Sequence, residues 1–170
     1  MGNPYLASKL SVKLKKELEL IIPYSEFETD YYPCDVLMKN GKMKKNVIIV
    51  EAQQYINIWG MWPKDDNHKR EIKLSDVKSI KTAQNRMPIQ IENQLQYIEE
   101  TGMGYHLFFL KLNSERKLLA QTGNIKFFLN LGENILASDI SEILPFDRSV
   151  DFDVMPEIFE SNYYWCIYSR

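Results

Sequence analysis

The stretch Ser75-Asp76-Val77-Lys78-Ser79-Ile80 returns further along the chain as Ser138-Asp139-Ile140-Ser141-Glu142-Ile143, a shared Ser-Asp-aliphatic-x-x-Ile pattern. Each copy follows an apolar, strand-like region that opens on a hairpin signal. The first signal is Met38-Lys39-Asn40-Gly41-Lys42 and the second is Leu112-Asn113-Ser114-Glu115-Arg116. A recurring order of hairpin, strand and tail is the mark of an internal repeat. Ser or Asp can cap a short helical turn while the flanking aliphatic residues pin it to a sheet, and small SH3-like barrels close in this way. The sequence therefore predicts two related SH3-like or barrel-like antiparallel β units, over 33–82 and 103–145, the first carrying an insertion at 63–70. The competing reading is that Ser-Asp before an aliphatic residue is a common cap and its return a coincidence.

Outward from the tails, residues 35–50 read as a hairpin. Asn40-Gly41 tolerates positive φ at both central turn positions and so favours a type I′ turn, and Val47-Ile48-Ile49-Val50 follows as a β-branched strand. Residues 54–62, where Tyr55, Asn57, Trp59 and Met61 alternate with Ile56 and Ile58, read as a third strand, and 71–74 as a fourth. The alternating acidic and aromatic residues of 24–33 fit neither helical nor strand period and read as a loop. Leu10, Leu14, Leu18 and Ile21 recur at helical spacing and predict an amphipathic helix over 8–22, ended by Pro23. Pro88 opens a second helix over 88–101 that links the two units, with Ile91, Leu95 and Ile98 on one face and Thr101-Gly102 closing it. Strands are expected at 105–112, 116–122 and 125–131, and a last one at 162–168 with apolar residues on both faces. The resulting class is α+β, strand-rich, in one compact domain over 1–170.

At 170 residues and 45% hydrophobic content the chain can build a core. Charged residues make up 26% and leave a net charge of -2, so overall charge does not suit the chain to polyanions and any electrostatic specificity is local. Cys34 and Cys166 are too few and too far apart for a disulfide scaffold or a cysteine-built zinc site, and read as buried or free thiols of a reducing compartment. The opening residues lack a signal-peptide pattern, and no apolar run approaches the roughly 20 residues needed to cross a bilayer, so a cytoplasmic protein is expected.

Chemistry-bearing motifs do not emerge. His68 and His106 are the only histidines and share no metal-binding spacing. Gly102-Met103-Gly104 follows a helix instead of opening one, which is the wrong order for cradling phosphate. No catalytic residue, metal ligand or cofactor is assigned, and the expectation is that the protein is not an enzyme. Two segments instead set carboxylates beside aromatic rings. The first holds Glu26, Glu28, Asp30, Tyr31 and Tyr32; the second holds Asp147, Asp151 and Asp153. With Trp59 and Trp62 these are the candidate partner-binding residues, since aromatic anchors inside an acidic rim suit a basic protein. The alternative is an RNA- or DNA-binding small barrel using Lys39, Lys42, Lys44 and Lys45 beside Tyr55, Trp59 and Trp62.

The run Asp35-Val36-Leu37-Met38-Lys39-Asn40-Gly41, the Ser75-Asp76-Val77 tail, and Met103-Gly104-Tyr105-His106-Leu107-Phe108 with the later Gly123-Asn124 resemble small uncharacterised bacterial proteins over about residues 33–148. In size, acidity and lack of chemistry the chain is also similar in type to immunity proteins of bacterial toxin systems such as contact-dependent growth inhibition. That resemblance implies a cognate toxin as partner, often a basic nuclease, blocked by direct binding. It assigns no residue.

Overall fold

Asn40-Gly41 does turn the chain, in a three-residue loop. Met38 N–H donates to Lys42 O (2.8 Å), Gly41 N–H donates to Met38 O (2.9 Å), and of the turn residues only Gly41 has a positive φ, 84°. This is a type I turn closed by a left-handed residue, not the expected type I′ pair. The structure is a computed structural model and describes residues 7–123, 125–128, 135–147, 149, 157–158 and 162–170. It divides into two compact units, Met1–Gln84 with Asn162–Arg170, and Asn85–Ser161.

In the first unit α1 (Val12–Leu18) precedes β1 (Tyr24–Glu26), β2 (Thr29–Met38), β3 (Met43–Glu51), α2 (Ala52–Trp59) and β4 (Val77–Thr82). In the second, α3 (Ile89–Leu95) precedes β5 (His106–Leu112), β6 (Lys117–Thr122), β7 (Ile140–Pro145) and β8 (Glu157–Ile158), and β9 (Tyr164–Tyr168) returns to the first. Each sheet is built alike. A central hairpin, β2–β3 or β5–β6, takes a third strand antiparallel to its first arm (β4, β7) and a last strand parallel to its second arm (β9, β8). The sheets have five and four strands and stay open, so the α+β class holds and neither unit is a closed barrel.

The repeat is thus present in the fold, and its contacts explain why hairpin and tail recur together. A short 3-10 turn, Leu74–Asp76 or Ala137–Asp139, places the Asp carbonyl against the hairpin loop. Lys39 N–H donates to Asp76 O at 2.8 Å, and Asn113 N–H to Asp139 O at 2.7 Å. The second loop has the geometry of the first, with Glu115 (φ 66°) where the first has Gly41. The helices repeat too. Leu14 and Leu18 enter the first core, and Ile91 and Leu95 the second. From the same helical face Glu17 Oε2 accepts the Ile80 N–H of β4 (2.8 Å), and Gln94 Oε1 accepts the Ile143 N–H of β7 (3.4 Å). Ile80 and Ile143 are the final positions of the two tails. A helix side chain therefore satisfies the outer edge of the third strand in both units, which blunts edge-to-edge association.

Five expectations are corrected. Residues 24–33 are not a loop: β1 and the start of β2 form a hairpin. Residues 54–62 are not a strand. α2 forms because Glu51 caps it, accepting the Gln54 N–H at 3.0 Å, because Tyr55 and Trp59 lie four apart on one face, and because Gly60 (φ 73°) ends it in the left-handed region. Residues 71–74 form no strand beyond a single Glu71 bridge to Trp165, and the strand begins after the tail's 3-10 turn. Residues 125–128 carry only the Phe128 bridge to Arg86, while 129–131 lie outside the described residues. The second helix is shorter than 88–101 and belongs to the second unit's core instead of linking units. β9 is covered on both faces, with Trp165 and Cys166 fully buried.

Candidate functional site

β2 carries three features of the first unit: an acidic hairpin tip at its start, an aromatic cluster on one face, and a cavity on the other.

The tip is Glu26-Phe27-Glu28-Thr29, with Glu26 paired to Thr29. A two-residue turn between twisted strands requires positive φ at both central positions, and Phe27 (49°) and Glu28 (60°) adopt it without being Gly or Asn. Side-chain crowding makes this conformation costly, by about 1–2 kcal/mol per residue. The surroundings hold it in place. Gln54 of α2 donates from Nε2 to Glu28 O (3.0 Å) and accepts the Asp30 N–H on Oε1 (3.4 Å), and buried Thr29 donates from Oγ1 to Phe27 O (3.5 Å). Ser25 Oγ donates to Asp30 Oδ1 at 2.5 Å. Phe27 is left 77% exposed at the turn, between Glu26 and Glu28 in sequence, with Asp30 following in β2. Backbone strain maintained at an exposed apolar residue is a feature of functional sites.

On one face of β2, Tyr31 is buried within a ring cluster centred on Trp165. Four rings meet Trp165 edge-on: Tyr55 at 4.9 Å between centroids, Trp59 at 5.4 Å, Tyr163 at 5.8 Å and Tyr31 at 6.2 Å. The Lys69 ammonium lies 3.9 Å over the Trp59 ring, 5.3 Å from the Tyr55 centroid and 5.9 Å from that of Trp165. Asp66 Oδ2 is 3.5 Å from it. Burial lowers the Lys69 pKa against the opposing pull of Asp66, and burial likewise raises the hydroxyl pKa values of Tyr31, Tyr55 and Tyr163. The Tyr55 hydroxyl and Trp165 Nε1 are buried without a hydrogen-bond partner among the described residues.

On the other face Tyr32 lines a cavity of about 490 Å³, with Leu10, Leu18 and Tyr168 as apolar wall and Lys9, Lys15 and Arg170 among its charged residues. Burial beside Tyr32 pushes the Tyr168 hydroxyl up to about 12. The expected candidates Tyr31 and Tyr32 therefore serve different faces. Trp59 joins the cluster, while Trp62 is half-buried and precedes the 3-10 turn Pro63–Asp65, its carbonyl accepting the Asp65 N–H at 3.0 Å. Asp35, further along β2, is buried and structural. It accepts the Asn46 N–H (3.0 Å) and the Gln84 N–H (3.3 Å), holding the bulge where Asn46 has φ 58°.

In the second unit Asp147 is exposed and accepts the Ser149 N–H at 2.9 Å, which holds its carboxyl below the usual carboxylate range. Asp151 and Asp153 lie outside the described residues. The lysines of the alternative reading diverge. Lys44 sits 4.9 Å over the Tyr164 ring, Lys45 donates to Gln84 Oε1 at 3.2 Å, and Lys39 and Lys42 lie exposed at the turn. His68 is exposed, with its N–H bonded to Asp66, and His106 Nδ1 lies 3.2 Å from Glu99 O. No group of three metal-ligating residues occurs among the described residues, and both cysteines are buried thiols outside any disulfide. Nor is any helix among them long and apolar enough to cross a membrane.

Sequence reasoning missed Phe27, Gln54 and Lys69. Phe27 is signalled only by the Ser25 and Asp30 that flank its turn, and Lys69 by nothing local, because its ring partners come from α2 and β9. No protein-family model matches the chain, nor does any curated protein or solved structure.

Proposed function

We propose that the protein acts by binding another protein through the acidic tip of the β1–β2 hairpin, most specifically as an immunity protein that neutralises a cognate bacterial toxin with a basic surface. The observation that carries this reading is the Phe27-Glu28 turn. Two residues ill suited to positive φ are clamped there by Gln54 and Thr29, and the outcome is an exposed aromatic ring at the tip of a hairpin that carries Glu26, Glu28 and Asp30. An aromatic anchor of low conformational freedom supplies burial, and the carboxylates speed encounter with a cationic partner. The test is protection. The chain is co-expressed with the product of a toxin gene neighbouring its own, and growth and complex affinity are compared for the parent, Phe27→Ala and Glu28→Lys. The expected result is protection by the parent and a loss of at least about 30-fold in affinity for each variant, equivalent to about 2 kcal/mol of hot-spot binding. Absence of a complex, or equal binding by all three, rejects the reading.

A further inference from the structure

We infer that the ring cluster of Tyr31, Tyr55, Trp59, Tyr163 and Trp165 is an alkylammonium-binding cage, closed in the free protein by the chain's own Lys69 and opened to a lysine side chain of the bound partner.

The cage has the elements of cation recognition. An ammonium is attracted to the faces of Trp and Tyr within about 6 Å, most strongly when it has lost water. Lys69 meets three ring faces within that range while its side chain is only 11% exposed. The surrounding carboxylates add to the field: Asp66 and Glu71 act on Tyr55, and Glu26 on Tyr31.

Lys69 is nevertheless an imperfect occupant. Its ammonium carries three donors, yet among the described residues Asp66 is its one ion-pair partner. Asp66 lies three residues before it in the same turn, with Lys69 N–H donating to Asp66 O at 3.0 Å, so lysine and counter-charge belong to one short loop and can leave together. The cage walls, in contrast, stand on β2, α2 and β9 and remain. Trp59 and Tyr163 are partly exposed and form its open side.

The identity of the replacing group follows from the neighbours, and this step rests on the protein-binding reading above. α2 supplies both Tyr55 and Trp59 to the cage and Gln54 to the clamp on Glu28, while β2 supplies Tyr31 to the cage and Asp30 to the acidic tip. A basic protein docked on the tip therefore brings lysines beside the cage. A lysine entering from the partner presents an ammonium to the same ring faces that Lys69 vacates.

The experiment uses the full chain and tetramethylammonium, a cation with no N–H donors that cannot bind by hydrogen bonding. It is titrated into the parent and Lys69→Ala, followed by tryptophan fluorescence and thermal midpoint, with sodium chloride as ionic-strength control and neopentanol as a neutral probe of similar shape. Lys69→Ala should bind tetramethylammonium at least about tenfold more tightly than the parent and at least about tenfold more tightly than it binds neopentanol. Adding Trp59→Ala should abolish that gain. If Lys69→Ala unfolds, tetramethylammonium but not sodium should restore its folding. Equal binding by parent and Lys69→Ala, equal binding of the neutral probe, or failure to rescue an unfolded variant overturns the cage. Because the probe needs no partner, ammonium binding without toxin protection defeats the protein-binding reading and leaves the cage standing.

Discussion

Replacing the hairpin tip Phe27-Glu28 with Asn-Gly should make the protein more stable and a worse binder. Both positions have positive φ, and relieving two such residues is worth about 2–3 kcal/mol at about 1–2 kcal/mol each, with Asn still paying part of that at the first position. Glycine at the second position returns about 0.5–1 kcal/mol through the greater freedom of the unfolded chain. Phe27 is 77% exposed, so its ring contributes little burial to the fold. The net expectation is a gain of about 1–2 kcal/mol. At about 2–4 °C per kcal/mol for a chain of this length the midpoint rises by about 2–8 °C. Calorimetry and urea unfolding read the gain, and titration against the partner reads a loss of at least about 30-fold. The opposite signs matter, because a merely structural hairpin gains stability and loses nothing. An unchanged or lowered midpoint refutes the strain, and undiminished binding by the stabilised variant refutes the tip as the contact.

Other consequences are equally open to measurement. Glu115→Gly, which gives the second hairpin loop the residue found at Gly41, should stabilise the second unit by about 1 kcal/mol in urea unfolding, since the left-handed φ of 66° is then free of side-chain crowding. Arg86 and Glu92 form a buried bidentate pair, Nε to Oε1 at 2.8 Å and Nη2 to Oε2 at 2.9 Å. Arg86→Met alone should cost about 3–5 kcal/mol by stranding the carboxylate, and adding Glu92→Leu should recover most of it. Alkaline unfolding should set in above about pH 10 and be complete near pH 12. Burial raises the hydroxyl pKa values of Tyr31, Tyr32, Tyr55, Tyr163 and Tyr168, with Tyr168 at about 12 and the Cys166 thiol also at about 12. Below the ordinary phenol value of 10 both states are neutral. Above it the unfolded chain ionises first, so stability falls as pH rises toward the folded values. Phenolate absorbance at 295 nm should therefore rise together with loss of circular dichroism, and ionisation of these tyrosines ahead of unfolding contradicts the burial argument.

The repeat was legible because its signals are local. Asn40-Gly41, the aliphatic Val47-Ile48-Ile49-Val50 and the Ser-Asp tails each dictate backbone shape over a few residues, and Leu14 and Leu18 mark the face of α1. Sequence failed where local pattern was ambiguous or overruled. Tyr55, Asn57, Trp59 and Met61 alternate like a strand, yet Tyr55 and Trp59 also stand one helical turn apart, and burial against Trp165 together with the Glu51 cap decides for helix. Phe27-Glu28 argues against a tight turn by its own preferences, and Gln54, distant in sequence, bonds both sides of it. A clamp of that kind has no local trace, and neither does Lys69 among rings drawn from separate elements. The acidic residues of 24–33 stand out in the sequence, but the rings beside them were not separable into Tyr31 of the ring cluster and Tyr32 of the cavity until β2 set its alternation.

The central claim, that the acidic hairpin tip is the contact surface, is tested most directly by amide hydrogen exchange on the chain alone and bound to the product of its neighbouring toxin gene. The account predicts slowed exchange on binding at residues 25–30 and at Gln54, with the amides of β5 and β6 unchanged. Unchanged exchange at 25–30 in a stable complex, with slowing confined to other surfaces, contradicts it.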